Sequence, residues 1–212
     1  SKNLSKNYFL NFNYNNEITV SNCIFNSNKA TKGGAAYVHD SRLLEFRHCK
    51  FYKNTSDQGG GVYISASTLS SMPIKLQNCI FWQQSSYKGG AIFSDDSELE
   101  VMNSTIVDNS AANFGDQSLG GGIYINYGSG ITVHNSILYD NIGGNSPELW
   151  IHASISPTIT YCNIEGGAFE GTGNIKNDPV FVSNNGNEIN EFDFNLQNTS
   201  PCINTGNPSS SY

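Results

Sequence analysis

Charged residues are scarce in this chain of 212 residues. Asp, Glu, Lys and Arg make up 14% and the apolar set 37%, against roughly 25% and 45–50% in ordinary soluble domains. That shortage excludes a coiled coil or a helical bundle, which are built from Ala, Leu, Glu and Lys. Basic residues are the scarcest: 11 Lys and Arg against 18 Asp and Glu leave a formal charge of −7. No positive face is then available for nucleic acid. There is no run of about 18 apolar residues, so no membrane span is expected in this chain. The cysteine count is five, so at least one thiol is free or bonded outside the chain. Ser1-Lys2-Asn3-Leu4 leads into no apolar core with a small-residue cleavage site, so the start reads as a mature terminus or a cut within a longer chain. Asn, Ser, Gly and Thr fill the gap, with about one residue in seven Asn. The sequons at Asn3, Asn54, Asn103 and Asn198 are what chance gives at that frequency. The length fits one domain or two small ones, and the composition fits a turn-rich, mostly β chain.

A repeat organises the chain. Aligned on Cys23, Cys49, Cys79, Ser104, Ser136 and Cys162, the intervals are 26, 30, 25, 32 and 26 residues. Three residues before each anchor stand Val20, Phe46, Leu76, Val101, Val133 and Ile159. Five before stand Ile18, Leu44, Ile74, Leu99, Ile131 and, as the exception, Pro157. Two after stand Phe25, Phe51, Phe81, Ile106, Leu138 and Ile164. Immediately before stand Asn22, His48, Asn78, Asn103, Asn135 and Tyr161.

This spacing encodes a shape. Positions −5 and −3 alternate as on a strand, and so do the anchor and +2, because strand side chains repeat every two residues. The step of three between −3 and the anchor breaks the alternation and demands a corner. The residue before the anchor then takes a left-handed or bridging φ/ψ, which Asn tolerates well. Asn22, Asn78, Asn103 and Asn135 are expected to form an internal amide ladder, with His48 and Tyr161 as imperfect members. A second row follows: Gly33-Gly34-Ala35, Gly59-Gly60-Gly61, Gly89-Gly90-Ala91 and, after a loop insertion within Ala111–Leu119, Gly120-Gly121-Gly122. Paired glycines permit positive φ and close approach of the next rung. Each leads into a short β-like run, so every repeat holds three strands joined by bends. Stacked with parallel neighbours, these give an all-β parallel β-helix of about six to seven rungs, each pairing with the next at about 4.8 Å. Uncapped ends invite further pairing, and Ile18-Thr19-Val20 already reads as a full rung, which points to more chain on the N-terminal side.

Phe25-x-x-Asn28, Phe51-x-x-Asn54 and the weaker Ile106-x-x-Asn109 and Leu138-x-x-Asn141 resemble the FxxN element of polymorphic outer membrane protein repeats. Gly33-Gly34-Ala35 and Gly89-Gly90-Ala91-Ile92 resemble the accompanying GGA[ILV] element. The resemblance covers about residues 17–145 and extends to the right-handed parallel β-helix (pectin lyase-like) superfamily. The tail, with Asn177-Asp178-Pro179-Val180-Phe181-Val182, Asp193-Phe194-Asn195-Leu196 and Ser200-Pro201-Cys202-Ile203-Asn204-Thr205-Gly206, is similar to the closing segment of secreted bacterial β-helix proteins. The expected organisation is β-helix rungs over 1–165 and a closing segment over 166–212 packed on them. The resemblance implies a secreted or cell-surface protein, often an adhesin, passenger domain or scaffold; a minority of the superfamily are polysaccharide lyases or hydrolases.

No catalytic set is nominated. Pectate-lyase-like chemistry needs Ca²⁺-binding carboxylates and a basic residue. Asp95, Asp96 and Glu98 are the densest acidic cluster and a candidate Ca²⁺ site, against the simpler reading of a solvated turn. Arg42 and Arg47 are the only arginines, both one to two rungs earlier. The signatures of polygalacturonases are absent. His39, His48, His134 and His152 share no ligand spacing, so no zinc site is expected. Cys23, Cys49 and Cys79 fall on adjacent rungs with side chains running parallel, which favours buried thiols over disulfides. Tyr37, Tyr63, Phe93 and Tyr124 form an aromatic column that alternation turns outward, a platform for a sugar chain or partner protein, unless the rings simply stack on each other. The leading reading is a non-enzymatic extracellular domain for adhesion or surface scaffolding, with a polysaccharide or host or cell-surface protein as partner. The alternatives are a Ca²⁺-dependent polysaccharide lyase and a rod segment assembled end to end into a filament.

Overall fold

The computed structural model describes residues 10–13, 17–41, 43–66, 73–112, 118–127, 130–144, 146–167, 169–183 and 193–207, with backbone alone at 12 and 13. Among them the regular elements are strands, in three parallel sheets of six and two smaller pairs. Sheet A holds Leu10–Asn13, Ala36–His39, Val62–Ser65, Ile92–Asp95, Ile123–Ile125 and Leu149–Ile151. Sheet B holds Glu17–Ser21, Leu43–Arg47, Ile74–Gln77, Glu98–Met102, Gly130–His134 and Thr158–Thr160. Sheet C holds Ile24–Asn26, Lys50–Tyr52, Ile80–Trp82, Thr105–Val107, Ile137–Tyr139 and Asn163–Ile164. The chain visits A, B and C in turn, completing about five turns. The count differs slightly from the six to seven rungs expected.

The register is the one the repeat dictates. Val20, Phe46, Leu76, Val101, Val133 and Ile159 pair in file across sheet B. Phe25, Phe51, Phe81, Ile106, Leu138 and Ile164 do so across sheet C. Both files point inward into one continuous core. Stacking there is tight: Phe51 and Phe81 lie 4.3 Å apart at 2°. The anchor column also points inward. Cys49, Cys79 and Cys162 carry buried, unbridged thiols, and the Cys49 and Cys79 thiols donate to the carbonyls of Val20 and Phe46 on the preceding rung, each at 3.4 Å. Ser104 accepts the Cys79 N–H at 3.1 Å, and Ser136 accepts that of Ser104 at 3.1 Å. Thiol and hydroxyl thus serve one purpose, a small side chain facing a neighbouring backbone.

Every residue before an anchor is left-handed: Asn22, His48, Asn78, Asn103, Asn135 and Tyr161 have φ between 48° and 55°. The glycine row behaves as required. Gly33, Gly59, Gly89 and Gly120 have φ of 59–63°, and a Cβ on Gly90 would collide with the carbonyl oxygen of Gly121.

The amide ladder, however, is not at the corner. Asn22 and His48 are exposed, and Asn78, Asn103, Asn135 and Tyr161 are half-buried at the surface. The internal ladder runs through the last residue of the FxxN element and its equivalents: Asn28, Asn54, Gln84, Asn109 and Asn141, all at most 5% exposed. The backbone N–H and Nδ2 of Asn28 both donate to Asn54 Oδ1, at 2.9 and 2.8 Å. Asn54 donates in the same way to Gln84 Oε1, at 3.0 and 2.9 Å. The second Nδ2 hydrogen reaches back one rung, from Asn54 to the Phe25 carbonyl at 2.9 Å and from Asn141 to that of Ile106 at 2.9 Å. Full pairing of a buried amide is what lets such a column sit in a core. Glu148 ends the column. Its Oε1 accepts the Asn141 N–H at 3.0 Å and its Oε2 accepts Asn141 Nδ2. At 2% exposure, burial pushes the Glu148 carboxyl up to about 8, against the lowering effect of the Asn141 bonds.

Residues 169–177 close the C-terminal end. Tyr161 N–H donates to the Thr172 carbonyl at 2.8 Å, Ile164 N–H to that of Ile175 at 2.9 Å, and Asn174 Oδ1 accepts the Cys162 N–H at 3.0 Å. Phe181–Ser183 and Asp193–Leu196 then form an antiparallel pair. It lays Phe181, Phe194 and Leu196 on Tyr52, Trp82 and Val107, outside sheet C.

Candidate functional site

The outer faces of the three sheets differ in chemistry. Sheet B presents Glu45, Lys75 and Glu100 in adjacent register, with Lys75 bridging to Glu100 at 3.2 Å: a solvated, charged face. Sheet A presents the aromatic column. Tyr37, Tyr63, Phe93 and Tyr124 pair in file and are continued by Trp150, outside the central core. Successive rings stack at 5.5, 5.1, 4.8 and 4.3 Å, with interplanar angles of 5–15°. Tyr63, Phe93 and Tyr124 are only 3–5% exposed. Lys32 Nζ donates to Tyr63 Oη at 3.1 Å, which is the main reason its pKa is raised, and Lys88 Nζ lies 5.3 Å from the Tyr124 ring centre. The ring faces are occupied by one another and by these cations, so the column is an external spine of sheet A rather than an open, flat platform.

The acidic cluster is divided by its backbone. Asp96 occupies a left-handed corner at φ 51°, in the column of Asp40 and Ala66. Asp95 Oδ1 accepts Asn126 Nδ2 at 2.8 Å, and the Glu98 carboxylate lies over Gly130. Among the described residues no three of His, Cys, Asp and Glu converge on a point that could hold a metal. Arg42 lies outside the described residues, and Arg47 pairs with Glu45 at 2.8 Å on the outside of sheet B.

Sheet C carries an extended groove with converging polar groups. Its floor is the outward residues of the strands, Trp82, Thr105 and Ile137 among them. One wall is the corner column Asn78, Asn103 and Asn135, which the left-handed backbone turns to the surface. The other is the closing segment, held by apolar contacts: Phe194 meets Trp82 edge-on at 6.1 Å, and Trp82 is itself stacked on Tyr52 at 4.3 Å within sheet C. Two adjoining cavities of about 380 and 560 Å³ share Asn103 and Thr105. Beyond the corner column they add Asn195, Asn163, Asn204 and Asn207 as amides and Phe194 and Tyr161 as rings. Lys50 and Asp193 are the only charged residues among the described ones that line it. The Asn207 N–H donates to Asn135 Oδ1 at 2.9 Å and ties the two walls together. Cys202 lies in the second cavity, its thiol accepting Asn163 Nδ2 at 3.0 Å, and burial raises its pKa.

A family model for the right-handed β-helix region matches residues 35–207. The chain belongs to the right-handed β-helix family. A second model, the Chlamydia polymorphic membrane protein repeat, matches residues 22–39, which span the first corner, Phe25-x-x-Asn28 and Gly33-Gly34-Ala35. No curated protein and no solved structure matches the chain. Within this family the repeat explains the core, and the groove is what the closing segment adds to it. The Asn78–Asn103–Asn135 file is visible in the sequence as a corner; its role as a groove wall is not.

Proposed function

We propose that this chain is a surface-displayed β-helix domain for adhesion, and that the groove beside sheet C binds a neutral, N-acetylated glycan chain lying along the solenoid axis. The observation that carries the reading is the file of three surface amides, Asn78, Asn103 and Asn135, along an open groove with aromatic edges. Successive rungs place an amide about every 4.8 Å, a step comparable to one sugar ring. Asn78 and Asn103 offer donor and acceptor together, matching vicinal hydroxyls and acetamido groups, while Asn135 Oδ1 holds the Asn207 N–H at the groove wall. The aromatic edges of Trp82, Phe194 and Tyr161 suit the apolar faces of pyranoses. A lining with one cation and one anion favours an uncharged chain over a polyuronate. The polymorphic membrane protein repeat supports a cell-surface setting.

The test is a titration of ¹⁵N-labelled protein with chitotetraose, and separately with polygalacturonate. Chitotetraose is expected to shift the side-chain amides of Asn78, Asn103 and Asn135 and the backbone of Thr105. Asn103→Gly, which keeps the left-handed corner, is expected to weaken binding about tenfold without lowering the unfolding midpoint. A scaffold without a ligand would show no shifts with either sugar, and a preference for polygalacturonate would refute the neutral-glycan reading.

A further inference from the structure

The amide ladder has a direction, and its two ends differ. Asn28, Asn54 and Asn109 donate their N–H and Nδ2 toward the C-terminal rung, and Gln84 donates its N–H there while its Nε2 turns to the Trp82 carbonyl. The side-chain oxygens of Asn54, Gln84, Asn109 and Asn141 accept from the N-terminal rung. At the C-terminal end Glu148 accepts both donors of Asn141 and the column stops. Residues 169–177 cover the adjoining strands there. At the N-terminal end Asn28 is 3% exposed and its Oδ1 has no hydrogen-bond partner among the described residues. At Asn54, Gln84 and Asn141 that oxygen takes two bonds, an N–H and an amide side chain, and at Asn109 it takes the Gln84 N–H. Among the described residues, Leu10–Asn13, Glu17–Ser21 and Ile24–Asn26 each pair with a strand on one side only. Ile18, Val20 and Cys23 stand half-buried at the edge of the core.

We propose that this N-terminal face docks one further parallel rung of a β-helical repeat chain other than this domain, carrying Asn or Gln at the ladder position. A second copy of the domain is a poor occupant in either orientation. Its C-terminal face ends in Glu148, which has no side-chain amide and whose two oxygens both hold Asn141, and residues 169–177 cover the strands there. Its N-terminal face would bring Asn28 Oδ1 against Asn28 Oδ1, acceptor to acceptor, with strands antiparallel. A parallel rung with an amide at the ladder position supplies two donors to an oxygen already removed from water, and a carbonyl for the second Asn28 Nδ2 hydrogen. A desolvated acceptor without a partner gains most from such bonds, and strand addition at an open edge supplies the rest of the contact.

The probe is a fluorescent peptide of residues 36–56 of this chain, with Cys49→Ser, the residue type that stands in that column at Ser104 and Ser136. This stretch holds one A, B and C strand followed by Asn54. Anisotropy titration against the whole chain is expected to show saturable binding, about tenfold or more weaker for the same peptide with Asn54→Leu. Hydrogen exchange is expected to slow in Glu17–Ser21 and Ile24–Asn26, and not in Thr158–Thr160. Sedimentation of the chain alone is expected to show a monomer. Absence of binding, equal affinity for the two peptides, protection at the C-terminal end, or self-association that protects the N-terminal strands would each overturn the proposal. None of these outcomes depends on the sheet C groove, so this inference and the glycan reading stand or fall separately.

Discussion

Replacing Glu148 with Gln should change how stability depends on pH. Glu148 terminates a column of amides, and burial lifts its pKa from 4.5 to about 8 in the folded chain. The folded state therefore holds this proton more tightly than the unfolded state. The stability linked to it is fully present below about pH 4.5 and is lost as pH rises toward about 8. At about 1.36 kcal/mol per pKa unit, that shift corresponds to a ceiling of about 5 kcal/mol. Gln84 shows that an amide can receive the rung before it equally well, since its Oε1 accepts both the N–H and Nδ2 of Asn54, at 3.0 and 2.9 Å. Glu148→Gln can receive Asn141 in that manner and carries no titratable proton. Urea unfolding of both proteins should be followed from about pH 5 to about pH 9. Exchange of the Ile123 amide, which donates to the Glu148 carbonyl at 3.0 Å, serves as a local readout. The variant should gain on the native chain steadily through neutrality and lead by several kcal/mol at the alkaline end. Parallel profiles, or a native chain that grows more stable relative to the variant with rising pH, would refute the reasoning.

Other consequences can be checked more briefly. Asn109→Leu strips an acceptor from the Gln84 N–H, a donor from Asn141 Oδ1 and a donor from the Phe81 carbonyl; urea melts should show a loss of about 3–5 kcal/mol, since each orphaned buried group costs about 1–3 kcal/mol. Gly90→Ala drives a methyl against the Gly121 carbonyl oxygen and should cost at least about 3 kcal/mol or abolish cooperative thermal unfolding. Cys79 and Cys162 are at most 1% exposed, and burial pushes the Cys162 thiol up to about 11; an aromatic disulfide reagent should label both only at the rate of global unfolding. Asn54 is 0% exposed within the ladder, so a glycosyltransferase acting on the folded chain should leave this sequon unmodified by mass spectrometry.

The parts of the fold that are legible in the sequence are those set by local geometry. A step of three between Val20 and Cys23, repeated down the chain, forces a corner at Asn22 and its equivalents, and all six are left-handed. The glycine pairs report a backbone contact that no side chain can fit. The ladder is easily misplaced because Asn is enriched here for two independent reasons. At Asn22, Asn78, Asn103 and Asn135 the backbone conformation selects it; at Asn28, Asn54, Asn109 and Asn141 the side-chain amide does. Composition cannot separate the two, although Gln84 is a clue, since a ladder tolerates Gln where a left-handed corner favours Asn. The groove is harder to see because its second wall comes from Asp193–Asn207, far away in sequence. A trace exists: the outward positions of sheet C hold Ile80, Trp82, Ile137 and Tyr139, while those of sheet B hold Glu45, Lys75 and Glu100. An outer face that apolar needs a cover. The aromatic column faces outward as alternation implies, but stacking and the lysines over it depend on side-chain geometry that alternation does not encode.

The glycan reading is tested most directly by a crystal structure of the chain grown with chitotetraose. The account predicts a sugar chain lying along the rungs between Asn78, Asn103 and Asn135 and the closing segment, with its acetamido groups bonded to those amides. Sugar bound instead against Tyr37 and Tyr63 outside sheet A, or a groove empty at saturating oligosaccharide, would contradict it.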